Sequence, residues 1–224
     1  ELYGKLRQEK AYSRHPGSLY RVFVRLGYRK KVESTKKKSK HLGHYDTPTE
    51  LGKKWQMDVK YVPAACYVGT DGEKFYQYTM IEEASRERFI YAYKEASSYS
   101  TVDFVQRAII YFGYAPDMIQ TDNGGEFTHT QKTNRIHPLD ILCSRLHIVH
   151  KTIRPKTPWH NGKVERSHRN DQERFYNHLS FHSYDDIQLQ MKRYLYRSNR
   201  IPMSVLEWKS PIQKRQELEA ARFC

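Results

Sequence analysis

Cysteine is scarce in this chain, and what little there is has no pattern. Cys66, Cys143 and Cys224 are odd in number, widely separated and contain no Cys-x-x-Cys pair, so neither a disulfide framework nor a zinc site is expected. A reducing cytoplasm is the expected compartment. Apolar runs of 18 residues are missing too, as is a leader with a charged start and an apolar middle, so the chain reads as soluble and unsecreted. Acidic residues are in deficit: 25 Asp and Glu face 39 Lys and Arg, a formal net charge of +14. An excess that large predicts a polyanionic partner, with nucleic acid ahead of a membrane surface. Hydrophobic residues make up only 38%, yet 13% of the chain is aromatic and Tyr occurs 18 times, which suits a packed core with polar tips rather than disorder.

At 224 residues the chain exceeds the commonest domain size, so one domain of about 150 residues with an appendage is expected. Glu1 opens inside a helical pattern (Leu2, Leu6, Lys10), which suggests that residues upstream were removed. Leu19, Val22, Phe23 and Leu26 then fall at i, i+3, i+4 and i+7 before Gly27, predicting an amphipathic helix over 17–26. Arg21 and Arg25 lie off that stripe. The helix reads either as the second helix of a DNA-binding helix-turn-helix or as a short surface helix. Residues 32–52 lose periodicity, and Lys36, Lys37, Lys38 and Lys40 mark a solvated linker able to track phosphates.

From Trp55 the texture changes. Trp55, Met57, Val59 and Tyr61 alternate with Gln56, Asp58 and Lys60 as in a strand, and strand-like runs follow at 75–81 and 88–93, separated by a turn at 82–87. Ser100 with Asp103 suggests a capping box opening a helix that ends at Gly113. A strand over 118–121, a helix over 138–146, a strand over 148–153, a polar helix over 161–177 and a helix from Ser183 complete the pattern. Three strands, then helix, strand, helix, strand, helix, describe an α/β mixed sheet with helices packed on it.

Three carboxylates stand out. Asp122 precedes Asn123-Gly124-Gly125 where a strand ends, although Asp-Asn-Gly by itself is commonly only a turn. Glu165 lies near a helix start, where the helix dipole favours an acid in any protein. Asp58 sits mid-strand, where Asp has poor propensity, and so asks for a reason.

The runs Trp55-Gln56-Met57-Asp58, Thr121-Asp122-Asn123-Gly124-Gly125-Glu126-Phe127 and Pro158-Trp159-His160-Asn161-Gly162-Lys163-Val164-Glu165-Arg166 resemble the integrase core of bacterial insertion-sequence transposases, relatives of retroviral integrases. The resemblance covers about residues 50–215 and implies a ribonuclease H-like, mixed five-stranded sheet. It implies that Asp58, Asp122 and Glu165 are both the catalytic residues and the ligands of Mg²⁺, with Mn²⁺ able to substitute. It further implies a DNA transposase acting on double-stranded DNA, assembled as a homodimer or larger multimer, in the cytoplasm of a bacterium near the nucleoid. On that resemblance, residues 1–31 are a partial helix-turn-helix, 32–52 a basic linker, 53–200 the catalytic core and 201–224 a carboxy-terminal extension.

Helical spacing places Asn161, His168, Arg169 and Gln172 on the face of Glu165. Asn161 and Arg169 are therefore candidate DNA contacts, with a solvated polar face as the plainer reading, and Lys163 is expected to meet solvent or a flanking phosphate. Arg21, Arg25, Lys36, Lys37 and Lys38 are candidate contacts from the amino-terminal region. Two departures from the family pattern remain. Asp122 and Glu165 are separated by 42 residues, a longer gap than is usual in that superfamily, and residues 128–140 are expected to absorb the excess as a surface loop. The His-His-Cys-Cys zinc module of retroviral integrases has no counterpart, since His41 and His44 lack a cysteine pair. A DNA-binding protein that no longer cuts, and a nuclease that cuts without joining, are the rival functions.

Overall fold

Residues 1–30, 47–70, 72–131, 133–153 and 161–221 are described by a computed structural model. Five strands form one sheet: β1 (Trp55–Tyr61), β2 (Tyr76–Glu82), β3 (Arg88–Tyr93), β4 (Met118–Thr121) and β5 (Val149–Thr152). Their order is β3-β2-β1-β4-β5. β1 runs antiparallel to β2 and parallel to β4, with Asp58 opposite Thr79. This is the mixed five-stranded α/β arrangement that the alternation of elements predicts.

The helices are α1 (Leu2–Lys10), α2 (Pro16–Arg25), α3 (Ser98–Phe112), α4 (Pro138–Arg145), α5 (Gly162–Arg174), α6 (Tyr184–Ser198) and α7 (Pro211–Ala220). α3 starts earlier than expected: Ser97, not Ser100, is the N-cap and accepts from the Ser100 amide at 3.2 Å. Asp103 instead accepts hydrogen bonds from Tyr93 and Arg107, both at 2.6 Å. Its end at Gly113 follows the expectation, because φ of +80° there is cheap only without a Cβ. α7 has a capping box of its own, Ser210 with Gln213, after which Pro211 pre-sets the first turn.

Each face of the sheet is covered differently. Against α3 and α4 the contacts are apolar, with Trp55, Met57, Tyr78, Met80, Phe104 and Phe112 in one cluster. On the other face, α6 brings Ile187, Met191 and Leu195 onto Ile90 and Ala92, whereas α5 meets the sheet through polar groups. The β2–β3 turn expected at 82–87 is present, but it is buried rather than solvated: Glu82, Glu83 and Glu87 are all at most 1% exposed.

The amino-terminal segment holds two helices, α1 and α2. α1 lies against the carboxy-terminal extension, with the Tyr3 and Trp208 rings 4.4 Å apart and Gln8 donating to the Trp208 carbonyl at 2.8 Å. α2 has no buried residue and leaves Arg21 and Arg25 exposed. Lys36, Lys37 and Lys38 lie outside the described residues, as does the run Pro158-Trp159-His160. The surface loop expected over 128–140 is exposed at 129–131 and 133–136 but ends sooner, because His137 is buried as the cap of α4 and Pro138 to Asp140 form its first turn. No helix among the described residues is long and apolar enough to cross a membrane.

Candidate active site

Asp58 occupies the centre of β1, held by its neighbours on both sides. Its Oδ1 accepts from the Val59 amide at 2.8 Å, while the imidazole of His168 on α5 approaches its Oδ2 to 3.4 Å. The same imidazole bonds Thr79, the residue paired with Asp58 across the sheet, at 3.0 Å. Burial pushes the His168 imidazole down to about 4, with Lys60 and Arg88 adding to the effect, so it braces the carboxylate as a neutral ring.

Asp122 follows β4 at the strand's carboxy-terminal end, where its Oδ1 accepts from the Gly124 amide at 2.9 Å and fixes an Asx turn. Asn123 donates to the Ile153 carbonyl at 3.0 Å, tying this turn to the end of β5. Thr121 bonds His150 at 2.9 Å, and His150 in turn meets Asp140 at 2.6 Å, so α4 also supports the strand end. The turn thus does more than reverse the chain: it aims a carboxylate.

Glu165 projects from the first turn of α5 and is exposed. α5 is set on the sheet by a buried network in place of an apolar stripe. The Val164 amide donates to Gln56 at 3.2 Å, while Asp171 accepts from Gln77, Arg88 and Tyr194, each at 2.8 Å. Burial pushes the Asp171 carboxyl up, yet Arg88 and its hydrogen-bond donors hold it below the usual range, so it is a buried anion. A helix anchored this way has a fixed register, and Glu165 inherits it.

The charge of Asp122 reaches both of the other carboxylates. Burial, and then the charge of Asp122, raise the Asp58 carboxyl to about 7, and Glu165 and Glu126 contribute to the rise. Glu165 is raised by burial and by Asp122, against the pull of Arg169. Glu126 completes the group: burial and Asp122 raise it, and its carboxylate folds back over Gly124, where a Cβ would come within 2.8 Å of it. Although it stands in the Asp122 motif, Glu126 was not singled out by sequence reasoning; its spacing four residues after Asp122 in a glycine turn was the available signal. Among the described residues no three His, Cys, Asp or Glu side chains converge as a ready-made metal cage. The donor set is nevertheless one of hard oxygens whose repulsion a divalent cation relieves, and it fits such an ion.

Two candidate DNA contacts need correction. Asn161 is 1% exposed, its amide donating to the Met57 carbonyl at 3.3 Å, because the residue caps α5 against β1 instead of pointing outward. Its Oδ1 is buried without a hydrogen-bond partner among the described residues. Lys163 is turned inward as well and pairs with the fully buried Glu83, which also meets Lys54 at 3.5 Å and Gln56 at 2.8 Å. Burial, with the charges of Arg86 and Lys54, brings the Lys163 ammonium down to about 8 despite Glu83. Arg169 is exposed beside Glu165, on the face expected for it.

Comparison with known proteins converges on one family. Two models described as the integrase core domain match residues 48–158 and 146–211. A protein of Spiroplasma virus SpV1-C74 named as an integrase, ORF3, is 34% identical over 126 residues, covering 51% of this chain and 34% of the viral protein; the chain thus spans about a third of that relative's length. Among solved structures, a chain of the simian T-cell lymphotropic virus intasome in complex with the PP2A regulatory subunit B56 gamma superposes with a TM-score of 0.59 at 17% identity, over 94% of this chain and 73% of that one. The HTLV-2 integrase catalytic core domain in complex with magnesium, in its trimeric form, gives 0.54 at 21% identity, over 73% of this chain and 96% of that one. The sheet order and the helices on it are those of ribonuclease H-like integrase catalytic cores, and the chain belongs to the integrase-core family of the retroviral-integrase superfamily.

Proposed function

We propose that this chain is the catalytic core of a DNA transposase or integrase, which cleaves DNA at the ends of a mobile element and joins the freed 3′ hydroxyl to target DNA. The observation that supports the reading is that Asp122 raises the carboxyls of both Asp58 and Glu165, although the three stand on separate elements. Membership of the integrase-core family supports it, as does the magnesium held by the HTLV-2 core, a protein of the same fold. Asp58, Asp122 and Glu165 would hold magnesium, with manganese as a substitute, and two bound ions would supply charge neutralisation and Lewis-acid activation around one scissile phosphate.

In the first step a water oxygen bonds to phosphorus as the P–O3′ bond breaks, and the leaving oxygen takes up a proton to become a 3′ hydroxyl. In the second, that hydroxyl oxygen bonds to a phosphorus of another duplex and the target's own P–O3′ bond breaks. One phosphodiester replaces another, so no nucleotide cofactor is required. The chain's part is to hold its carboxylates still: the Val59 and Gly124 amides orient Asp58 and Asp122, and the buried network under α5 orients Glu165. Arg169, beside Glu165, offers a positive charge to the phosphate backbone. Arg21 and Arg25 on α2 and the lysines at 36–38 extend that footprint along double-stranded DNA, and two ends processed together call for a dimer or larger assembly.

Incubation with labelled duplex and magnesium tests the reading. Joined products support it. Nicks alone would reduce the chain to a nuclease, and no product would leave a DNA-binding protein. Asp58→Asn should abolish both nicking and joining; parental rates from that variant would remove the site assignment.

A further inference from the structure

Helix α5 carries functional side chains on two faces. Glu165 and Arg169 occupy one; Lys163, Arg166, Asn170 and Arg174, at i, i+3, i+7 and i+11, occupy another. That second stripe lines a cavity of about 600 Å³ whose far wall is Ile201, Pro202, Met203 and Trp208. Lys163 and Arg88, which also line it, are engaged by Glu83 and Asp171, and Glu1 at the margin is held by Arg197 at 3.2 Å. Arg166 and Arg174 differ: both are exposed, and neither has an acidic partner among the described residues.

The aromatic wall is built with strain. Glu207 and Trp208 are consecutive residues in the left-handed region, with φ of +55° and +69°, a costly conformation for side chains of this size. The turn is closed by the Trp208 amide on the Met203 carbonyl at 2.9 Å and the Met203 amide on the Lys209 carbonyl at 3.0 Å. Tyr3 of α1 backs the indole. Two exposed guanidinia lining one cavity with an indole backed by Tyr3 and an apolar wall make the chemistry that receives phosphates on one side and a base on the other. A volume of this size admits a nucleotide or two and no duplex.

We propose that this cavity binds a single-stranded segment of DNA, its phosphates on Arg166 and Arg174 and a base against Trp208. The proposal rests on the nucleic-acid reading above and places a second DNA site on the side of α5 away from Glu165. It is tested with a fluorescent twelve-residue oligo(dT), one position of which carries 5-iodouracil for cross-linking. The parent should cross-link at Trp208 or its immediate neighbours. Arg166→Glu with Arg174→Glu should weaken binding more than tenfold and lower the salt slope by about 1.4, the value for two contacts to a single strand. Arg166→Lys with Arg174→Lys should restore most of the affinity. Both positions are exposed, so thermal melting should be unchanged and serves as the control for folding. Unchanged affinity and slope in the Glu variant, or cross-links confined to other surfaces, would overturn the proposal and leave the cavity to a peptide segment or to packing. If the parent binds the oligonucleotide through Trp208 but neither nicks nor joins duplex, the enzymatic reading fails while this one stands.

Discussion

The two covers of the sheet are made of different material. Beneath α3 and α4 the sheet presents Trp55, Met57, Tyr78 and Met80, and the helices answer with Phe104, Val105, Ala108 and Phe112. Beneath α5 it presents Gln56, Gln77, Thr79 and Arg88, and the helix answers with a backbone amide, His168 and Asp171. Apolar packing is indifferent to small shifts of register, whereas hydrogen bonds and a buried ion pair tolerate few arrangements. The helix that presents Glu165 is the one held by the less forgiving contacts. α5 carries Glu165, Arg166, Arg169 and Arg174 on its exposed faces, which leaves little of its circumference for an apolar stripe, and so the anchor is polar.

The largest effect should come from breaking that anchor. Asp171→Asn leaves Arg88 buried without its counter-charge, at a cost of about 3–5 kcal/mol in denaturant unfolding. Phe104→Ala on the opposite face should cost a similar amount, about 3–5 kcal/mol. Joining activity per folded molecule separates the two: it should fall at least tenfold in Asp171→Asn, where α5 loses its register, and stay near the parental value in Phe104→Ala. Equal specific activities would show that the polar anchor stabilises α5 without positioning Glu165.

A smaller effect, with a defined pH dependence, is expected at Asp58. Its folded carboxyl titrates at about 7 against an ordinary 3.8, so the folded state takes up the proton first. The resulting stability is complete below about pH 4 and is lost as pH rises through about 7, by no more than about 4 kcal/mol. Metal-free Asp58→Asn escapes this loss. It should melt above the parent at pH 8 and close to it at pH 4, and a gap of the same size at both would sink the argument. Magnesium at about ten times its dissociation constant should stabilise the parent by roughly 1.4 kcal/mol, most of which the Asn variant should forgo.

These contrasts also explain what could be read from the residues alone. β3 and β4 were legible to the residue, because their apolar runs are short and bounded by turn chemistry. Asp58, Asp122 and Glu165 stood out as motifs, and in the fold the charge of Asp122 reaches both of the others. Asn161 and Lys163 were misjudged because helical spacing reports an angle about the axis and says nothing of what lies there: β1 carbonyls meet the first, and the buried Glu83 receives the second. The burial of the acidic turn at 82–87 has a related cause: Arg215 of α7 reaches Glu87 at 3.2 Å, a pairing across 128 positions that no local pattern encodes. The interlock of α1 with residues 202–213 escaped notice likewise, being a contact between the two ends of the described chain.

The smallest expected effect lies at that interlock, away from either cover of the sheet. Ser210 accepts from the Gln213 amide at 3.3 Å, and Gln213 returns a bond to the Ser210 amide at 2.8 Å while receiving Gln8 of α1 at 3.1 Å. Ser210→Ala removes only the first of these and should cost about 1 kcal/mol, seen as a modest fall in melting temperature. Gln213→Ala removes the reciprocal bond and the tether to α1, and should cost more than Ser210→Ala. Neither change touches the Arg88–Asp171 anchor, so the rate of joining duplex ends should stay at the parental value in both. A joining rate that falls with either cap variant would mean that α7 also bears on the register of α5, through Arg215 and the buried Glu87 beside the β2–β3 turn, and the contrast between the two faces would then have to include a third support.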